Sequence, residues 1–342
     1  MKAIQLERPQ SFRVITAVEP GKPNPGEAVI RVHRVGICGT DYSGYLGKMP
    51  FYSYPRIPGH ELGVEVLSVG DGVSNVRVGD LCAVEPYLNC SNCSACRRGH
   101  INCCEKLQVL GVHTDGGMRP RFTIPARKLH PANRLTSSQA ALVETLAIGC
   151  HAVNRGGPKS GENVVVIGAG PIGLSVIEFA RLSGARTFVV DTNPARLDFV
   201  RRSMGIADTI HASGDGVGLK RLEELTQGEL AHCVIDATGN SQSMGQALQY
   251  VAFAGRLVYV GITTQDLTFG HPLMHRREMT LLASRNALPP DFQRIIQLIE
   301  QGKIDTQPWI THEASMDDVP RLFPEWLKPE TGVIKAVVEV AE

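Results

Sequence analysis

The sequence predicts a two-domain α/β protein, in which a β-rich domain precedes a doubly wound parallel sheet. Three observations support this prediction. The chain has 342 residues, which is long enough for two domains. Its first 150 residues contain short β-branched runs separated by glycine and proline. Between residues 160 and 290, apolar strand patterns alternate with helical ones, which is typical of a parallel sheet.

Residues 1 to about 150 are predicted to form a partly open β-barrel with long loops. Glycine and proline turns, such as those at 23–26 and 71–72, separate the β-branched runs. Two small β domains are the alternative, but no linker in this part of the sequence supports them. The predicted strands are residues 12–18, 27–35, 63–69, 81–85 and 122–125.

A helix is predicted from residue 138 to about 154, because apolar residues recur there at helical spacing. Glu144 is the only charged side chain in the first part of this helix. A carboxylate among apolar residues needs a partner, so Glu144 is a candidate functional residue. The alternative is a solvated glutamate on the outer face of the helix.

Strands and helices then alternate from residue 160 to about 290, which predicts the doubly wound sheet. Asn193 and Pro194 mark the start of one of these helices, because proline is favoured at the first helical position. The predicted strands are 163–167, 187–190, 233–236, 257–260 and 281–283, and the predicted helices are 174–181, 194–204 and 241–252.

The C-terminal segment contains an amphipathic helix pattern at 292–301 and a strand pattern at 333–340. We expect this segment to return to the β-rich domain and make that domain discontinuous. The predicted boundaries are 1–150 with 291–342 for the β-rich domain and 151–290 for the doubly wound domain.

A glycine motif, G-A-G-P-I-G, follows the first strand of the doubly wound sheet and opens a helix. In that context it indicates a dinucleotide site. Gly168 permits the tight turn, Gly170 lets the backbone approach a pyrophosphate, and Gly173 lets helix and strand pack closely. The pyrophosphate is expected at the helix N-terminus, where free N–H groups favour an anion. The motif residues are Gly168, Ala169, Gly170, Pro171, Ile172 and Gly173.

Asp191, at the end of the next strand, predicts which cofactor binds. Its carboxylate can accept hydrogen bonds from the adenosine ribose, and a 2′-phosphate would meet a like charge there. NAD is therefore predicted over NADP. Arg196, a turn into the following helix, is a cation that weakens this preference if it faces the site. A solvated helix charge is the commoner role for such a residue.

Composition excludes several classes of protein. The chain is 43% hydrophobic and 20% charged, as is usual for a globular protein, and its net charge is +1. This balance does not favour nucleic acid or a membrane surface as a partner. The N-terminus has no apolar signal core, and no apolar run reaches the roughly 20 residues of a membrane helix. A soluble, cytoplasmic protein is therefore expected.

Five of the nine cysteines lie between residues 90 and 104, and four of them have the spacing of a metal site. Cys90, Cys93 and Cys96 recur at every third position, and Cys104 follows after seven other residues. Four thiolates around one tetrahedral Zn²⁺ account for this spacing. The sequence does not exclude Cys103 as the fourth ligand in place of Cys104. Because four thiolates saturate the ion, this zinc is predicted to be structural.

Further motifs extend along nearly the whole chain. They are G-H-E at 59–61, the four-cysteine segment, the helix V-E-T-L-A-I-G-C-H-A-V, the G-A-G-P-I-G motif and the closing strand V-I-K-A-V-V-E-V. In these motifs the sequence resembles the zinc-dependent medium-chain alcohol and polyol dehydrogenases, in the branch of sorbitol, threonine and sugar-acid (L-galactonate-type) dehydrogenases. The resemblance implies a GroES-like β-barrel catalytic domain together with a Rossmann domain.

The resemblance also implies a catalytic zinc site. Cys38, His60 and Glu144 would hold the ion, with an open position for water or substrate. Glu61, next to His60, is a direct ligand in some relatives and an exchanging group in others. One thiolate, one imidazole and one carboxylate leave zinc Lewis-acidic and incomplete, as catalysis requires.

By the same resemblance, Thr40 is the first group of a proton relay. Many relatives have a histidine where this chain has Ser43, so the outer relay departs from the family pattern and Ser43 with water would replace it. Thr238 and Gly261 follow predicted strands and, with Asn286, are expected along the cofactor's path.

Together these features predict an enzyme with two zinc ions per chain, which transfers hydride from a secondary alcohol to NAD. The alcohol would be a polyol, a sugar or a sugar acid such as a hexonate, and Arg119, Arg121 and Arg285 are candidates for binding a carboxylate. The alternatives are an NADP-linked reductase of a carbonyl compound and a non-catalytic zinc- and NAD-binding sensor. The family resemblance implies a homodimer or homotetramer, and a tetramer is expected.

Overall fold

The computed structural model describes residues 1–50, 52–214 and 216–340. The chain divides into two compact units. Unit 1 comprises Met1–Thr145 and Leu288–Glu342, and unit 2 comprises Leu146–Ala287. In the described residues, no helix combines the length and the apolar character needed to cross a membrane.

The strands, in chain order, are β1 (Lys2–Arg8), β2 (Ser11–Thr16), β3 (Glu27–Gly36), β4 (Glu61–Val69), β5 (Leu81–Val84), β6 (Tyr87–Leu88), β7 (Gln108–Val109), β8 (Arg121–Pro125), β9 (Leu129–Pro131), β10 (Asn163–Ile167), β11 (Arg186–Asp191), β12 (Thr209–His211), β13 (Ala231–Asp236), β14 (Val251–Tyr259), β15 (Thr280–Ala283), β16 (Ile310–Ser315) and β17 (Lys335–Glu339).

The helices are α1 (Gly39–Tyr45), α2 (Ser94–Arg97), α3 (Ser137–Gly156), α4 (Pro171–Leu182), α5 (Pro194–Met204), α6 (Val217–Leu225), α7 (Ser241–Gln246), α8 (His271–Arg276), α9 (Pro289–Glu300) and α10 (Val319–Trp326). The division between the units falls inside α3, near its middle.

Unit 1 is built on a seven-stranded sheet with the order β16-β17-β3-β4-β5-β9, in which β8 also pairs with β3. The long strand β3 is central because it pairs with β4, β8 and β17 in antiparallel registers. Its buried side chains, including Ile30 and Val32, form part of one apolar core with Val64 and Val66 of β4. The C-terminal strand therefore completes the sheet that the N-terminal strands begin.

All five strands predicted in the first 150 residues are present as β2, β3, β4, β5 and β8, with ends shifted by one or two residues. The short strands β6, β7 and β9 escape prediction because two or three residues cannot show a periodic pattern. The predicted fold class, a GroES-like β domain with a doubly wound parallel sheet, is confirmed.

Unit 2 is a six-stranded parallel sheet with the order β12-β11-β10-β13-β14-β15. The first strand of this sheet, β10, lies in its middle, and β11 and β12 follow outward on one side. The chain then crosses back, and β13, β14 and β15 follow outward on the other side. The strand order thus reverses between β10 and β13, and ligands of such sheets bind at the carboxyl ends of the strands at this point. Every residue of β10 is buried, as expected for a strand covered on both faces.

The helix predicted at 241–252 is wrong in its second half. Helix α7 ends at Gln246, a 3₁₀ turn follows at Ala247–Tyr250, and strand β14 begins at Val251. Val251 is fully buried and pairs with Ala231 of β13. Pairing with the neighbouring strand therefore overrides the local helical pattern.

Candidate active site

The four cysteines with metal spacing meet in one place. The Sγ atoms of Cys90, Cys93, Cys96 and Cys104 all lie within 4.8 Å of one another. The sulfur of Cys104 is 3.5 Å from that of Cys90 and 3.9 Å from that of Cys93. Cys103 is exposed and lies outside this group. Of the two alternatives for the fourth ligand, the geometry therefore favours Cys104.

These distances fit one tetrahedral zinc ion. Four thiolates at about 2.3 Å from Zn²⁺ would place their sulfurs about 3.8 Å apart. The backbone N–H groups of Cys96 and Glu105 lower the pKa of Cys93 to about 6, which favours the thiolate that a metal binds. The amide of Asn89 donates to the sulfur of Cys96 at 3.8 Å, and Arg127 holds that amide at 3.0 Å. We call this segment, residues 90–104, the four-cysteine lobe.

A second group of metal-binding side chains lies at the start of α1 and β4. The ligand atoms of Cys38, His60 and Glu61 all lie within 4.8 Å of one another. Cys38 is the N-cap residue of α1, and Glu61 is the first residue of β4. His60 and Glu61 are buried, although both carry polar groups. Buried groups of this kind are stabilised by partners or by a metal ion.

Asp41 is the partner of this group that the sequence analysis missed. One oxygen of its buried carboxylate accepts a hydrogen bond from the Cys38 N–H at 2.9 Å, and the other is 3.8 Å from Nδ1 of His60. Burial by itself lowers the pKa of His60, but the negative charges of Asp41 and Cys38 outweigh it, so this pKa lies well above its ordinary value. A carboxylate beside the imidazole is the arrangement that orients a metal-binding histidine.

Glu61 is held by a lysine from the opposite end of the chain. The ammonium group of Lys335, on β17, is 2.6 Å from both carboxylate oxygens of Glu61, and it also donates to the Ile37 carbonyl at 3.1 Å. Burial by itself lowers the pKa of Lys335, but the charges of Glu61 and Cys38 raise it above its ordinary value. Gly36 leaves space for this carboxylate, because a Cβ there would lie 2.1 Å from Oε2 of Glu61.

Glu144 is buried on α3 and is not a solvated helix charge. The hydroxyl of Tyr87 donates a hydrogen bond to its Oε1. Burial raises the pKa of Glu144, while the positive charge of His60 opposes that shift. Glu144 therefore interacts electrostatically with the second group. The cluster with ligand atoms within 4.8 Å of one another, however, contains Glu61 and not Glu144.

The donor set of this second group fits a catalytic zinc. One thiol, one imidazole and the buried carboxylate of Glu61 converge, and a second buried carboxylate, Glu144, interacts electrostatically with His60. Nδ1 of His60 is buried, and no hydrogen-bond partner for it is present among the described residues. A divalent cation would compensate these charges.

Thr40 and Ser43 lie on α1, directly after Cys38, and both are half-buried. They are three residues apart and therefore share one face of the helix. The two predicted relay hydroxyls therefore lie on the same face of α1, and the first of them, Thr40, is two residues after Cys38.

In unit 2, the glycine motif forms a tight turn at the carboxyl end of β10. Gly168 has a φ of +96°, which favours glycine, and a Cβ at Gly173 would lie 1.8 Å from the Gly168 carbonyl oxygen. Helix α4 begins at Pro171, with Gly170 as its N-cap residue. A Cβ on Gly170 would meet only one group within 4 Å, the guanidinium of Arg196 at 3.7 Å. Space for a ligand therefore exists at this helix N-terminus.

The carboxylate of Asp191 already has a role in shaping this turn. Its oxygens accept hydrogen bonds from the Ala169 N–H at 2.6 Å and the Asn193 N–H at 2.7 Å. Each carboxylate oxygen has a further lone pair, so ribose hydroxyls can still bind. Arg196 is exposed, as a solvated helix charge would be, and its guanidinium lies 3.7 Å from the position that a Cβ on Gly170 would occupy.

The residues at the carboxyl end of β13 and β14 lie close to the glycine motif. A Cβ on Gly168 would be 3.1 Å from the methyl group of Thr238, and a Cβ on Gly261 would be 2.2 Å from the Gly239 nitrogen. Buried Asp236 accepts a hydrogen bond from the Thr238 hydroxyl at 2.7 Å. Asn286 follows β15 with a φ of +51°.

Arg119 and Arg121, which were considered for a substrate carboxylate, are engaged in contacts within the protein. The guanidinium of Arg119 donates to the carbonyls of Gly116 and Asp115 and lies over the ring of Phe122. Arg121 pairs with Glu19 at 3.4 Å. These contacts give no support to either arginine as a carboxylate-binding residue.

Comparison with known proteins agrees with this geometry. A family model described as "Alcohol dehydrogenase GroES-like domain" matches residues 24–134, and one described as "Zinc-binding dehydrogenase" matches residues 171–301. An L-galactonate-5-dehydrogenase of Escherichia coli (strain K12) is 38% identical over 318 residues, which is 92% of each chain.

A 2-dehydro-3-deoxy-L-galactonate 5-dehydrogenase of Pseudoalteromonas atlantica is 32% identical and covers 99% of this chain and 98% of its own. Among solved structures, a dehydrogenase (rspB) of Escherichia coli CFT073 in complex with NADH superimposes with a TM-score of 0.91 at 28% identity, covering 99% of both chains. The similarity therefore extends over both units.

Proposed function

The chain belongs to the zinc-dependent medium-chain alcohol and polyol dehydrogenases, and we propose that it oxidises a secondary hydroxyl group of a sugar acid of the hexonate class with NAD. As a member of this family it is an oxidoreductase that acts on CH–OH groups and uses zinc and a nicotinamide cofactor. The observation that carries the proposal is the convergence of Cys38, His60 and Glu61 in unit 1, with the buried carboxylate of Glu144 interacting electrostatically with His60.

We assign the catalytic zinc to Cys38, His60 and Glu144, with Glu61 as an exchanging ligand. A zinc ion bound there supplies a Lewis acid that lowers the pKa of the substrate hydroxyl, and the nicotinamide supplies the hydride acceptor. We propose that the carboxylate of Asp41, 3.8 Å from Nδ1 of His60, orients the imidazole by its charge. Lys335 supports the proposed exchanging role of Glu61, because its ammonium group would compete with a bound metal ion for that carboxylate.

Thr40 is proposed to accept the proton of the substrate hydroxyl and Ser43 to continue the relay. Their common face on α1 supports this order, since a hydroxyl can accept one hydrogen bond and donate another. The four-cysteine lobe is proposed to hold a second, structural zinc, which makes two ions per chain.

We propose the glycine motif, Asp191, Thr238, Gly261 and Asn286 as the nucleotide site, with NAD preferred. The carboxylate of Asp191 disfavours a 2′-phosphate by like charge, whereas Arg196, close to Gly170, favours an anion. We give Asp191 more weight because it ends β11, where the ribose hydroxyls are bound in sheets of this order.

The sugar-acid substrate is supported by two relatives that are named for galactonate-type substrates and are aligned over at least 92% of this chain. We expect the highest kcat/KM on a hexonate, compared with neutral polyols and amino alcohols, in a substrate panel followed by NADH absorbance. The same panel run with NADP tests the cofactor preference. Turnover of neutral polyols but of no sugar acid would reject the proposed substrate class and leave the zinc dehydrogenase assignment intact.

We further propose that the protein forms a homo-oligomer through β15. This strand is at the edge of the six-stranded sheet, and Thr280, Leu281 and Ala283 are exposed. An apolar, unpaired edge strand favours pairing with a second copy of the same strand.

A cytoplasmic location is also proposed. All nine cysteines are free thiols, including the close sulfurs of the four-cysteine lobe, and such thiols persist in a reducing compartment. Recovery of the protein in the periplasmic or membrane fraction of the host cell would contradict this location.

A further inference from the structure

Tyr87 connects the two predicted metal sites of unit 1. Its buried side chain donates a hydrogen bond to Glu144, while its backbone belongs to β6, three residues before Cys90. On the other side of the lobe, β7 begins four residues after Cys104 and pairs with β6, with Tyr87 opposite Val109. The strand pair β6–β7 is therefore the base from which the four-cysteine lobe extends.

This base is too short to be stable on its own. Each strand has two residues, and the ladder gains one further hydrogen bond, from the Leu110 N–H to the Pro86 carbonyl at 3.1 Å. A short two-stranded ladder is at best marginal in water. The thiols of Cys90 and Cys104, 3.5 Å apart, close the lobe directly beside it. A metal bound by these thiols would therefore fix the backbone of Tyr87.

At its other end, Tyr87 restricts a side chain that would otherwise have several rotamers. Glu144 projects from α3 among apolar residues, so the hydroxyl of Tyr87 is a specific anchor for one carboxylate oxygen. The ring itself is held edge-on against Phe292, with centroids 6.4 Å apart. A carboxylate anchored at one oxygen can offer the other to a metal ion.

We infer that Tyr87 is a positioning residue that holds Glu144 as a ligand of the catalytic zinc and makes this site depend on the order of the four-cysteine lobe. The inference rests on the proposed function for the assignment of Glu144 as a zinc ligand. The inference adds Tyr87 as the partner of Glu144. It also states that the order of the four-cysteine lobe affects the catalytic site.

The first test uses the variant Tyr87→Phe, which lacks the hydroxyl but keeps the ring against Phe292. Zinc release from the holoenzyme is followed with a chromophoric chelator, which separates the open site from the closed four-thiolate site. We expect release from the open site to accelerate about tenfold or more, the usual effect of losing a partner of a metal ligand. The visible spectrum of Co²⁺ in the open site should change as well, which a general loss of stability does not produce.

The matched control is Tyr259→Phe. It makes the same chemical change at a hydroxyl that donates to the Met244 carbonyl at 2.7 Å in unit 2. This control should leave both release rates and the Co²⁺ spectrum as in the wild type. If Tyr87→Phe also leaves them unchanged, Tyr87 does not position Glu144 and the inference is overturned.

The second test measures the coupling with a double-mutant cycle. Cys93→Ser weakens the lobe, and we expect it to accelerate zinc release from the open site in the wild-type background but not further in the Tyr87→Phe background. If Cys93→Ser does not fold, Asn89→Ala replaces it, because this change removes the amide that holds the Cys96 sulfur. If the two substitutions accelerate zinc release by factors that multiply in the double variant, the lobe does not act through Tyr87.

These outcomes are separate from those of the proposed function. A wild-type enzyme that binds two zinc ions and oxidises alcohols, but whose Tyr87→Phe variant behaves like the control, contradicts only the coupling. A wild-type protein without an open zinc site contradicts the proposed function itself.

Discussion

At the scale of single residues, unit 1 buries several charged groups around the proposed catalytic zinc. The clearest case is Lys335 and Glu61, whose side chains are 1% and 0% exposed. Neither charge could be buried alone at an acceptable cost, because each would lose its hydration without compensation. The two charges are therefore compatible with a stable fold only when both are present. Together they keep the carboxylate of Glu61 beside Cys38 and His60.

Replacing Lys335→Met should lower the stability of unit 1 strongly, since it leaves the Glu61 charge buried without its cation. The expected loss is about 3 to 5 kcal/mol. It should appear as a lower midpoint in urea unfolding of protein whose open site is free of zinc, because a zinc ion there would itself compensate the Glu61 charge. The double variant Lys335→Met with Glu61→Gln should recover much of this loss, because it removes both charges.

Lys2→Met is the control for this experiment. Lys2 also pairs with an acid, Asp317, but both side chains are largely exposed. A surface pair of this kind contributes about 1 kcal/mol or less. Equal midpoints for the Lys2 and Lys335 variants would mean that losing the buried cation lowers stability no more than losing an exposed one.

At the scale of elements, the edges and ends of the strands decide what each unit can bind. The reversal of strand order between β10 and β13 opens the place where Gly168 and Thr238 meet. At the edge of the same sheet, β15 has backbone groups on one side that pair with no strand among the described residues. One strand end therefore suits a nucleotide, and one strand edge suits a second copy of the chain.

The proposed assembly predicts that Leu281→Lys lowers the oligomeric state. Leu281 is 40% exposed on β15, and a charge on an edge strand opposes pairing with another copy. Light scattering during size-exclusion chromatography measures the mass directly. Val217→Lys is the control, because Val217 is 47% exposed in the same unit but lies on helix α6. An unchanged mass for Leu281→Lys would exclude β15 as the interface.

At the scale of the whole molecule, the chain contains two units, each with its own apolar core. The residues proposed for the two metal ions are all in unit 1, and those proposed for the nucleotide are all in unit 2. Hydride transfer requires both sets. A change in the metal sites is therefore expected to leave the nucleotide-binding residues of unit 2 intact.

Zinc content gives a test of the proposed division of roles. The wild type should contain two zinc ions per chain, and Cys38→Ser should lose only the ion of the open site, because the four thiolates of the lobe are untouched. Elemental analysis of the dialysed protein measures both values. Cys103→Ser, at an exposed thiol outside the cluster, should retain two ions. Loss of both ions in Cys38→Ser would contradict the assignment of the two ions to separate sets of ligands.

Much of the fold and of the site could be predicted because the relevant signals are local. The turn at Gly168 and the helix cap at Asn193 each involve only residues that are close together in the chain. The spacing of Cys90, Cys93 and Cys96 is likewise contained in one short segment. Cys38, His60 and Glu144 were assigned through family motifs, because their positions in the sequence are far apart and no local rule connects them.

The fold class, the glycine motif and the four-cysteine lobe could all be predicted from the sequence, since short-range backbone geometry and ligand spacing depend on residues that are close together in the chain. The partners of the buried carboxylates, in contrast, depend on how the chain folds in three dimensions. Lys335 is 274 residues from Glu61, and Tyr87 is 57 residues from Glu144. Such pairs form because a buried charge must find compensation wherever packing brings a partner, and no local pattern in the sequence encodes that meeting.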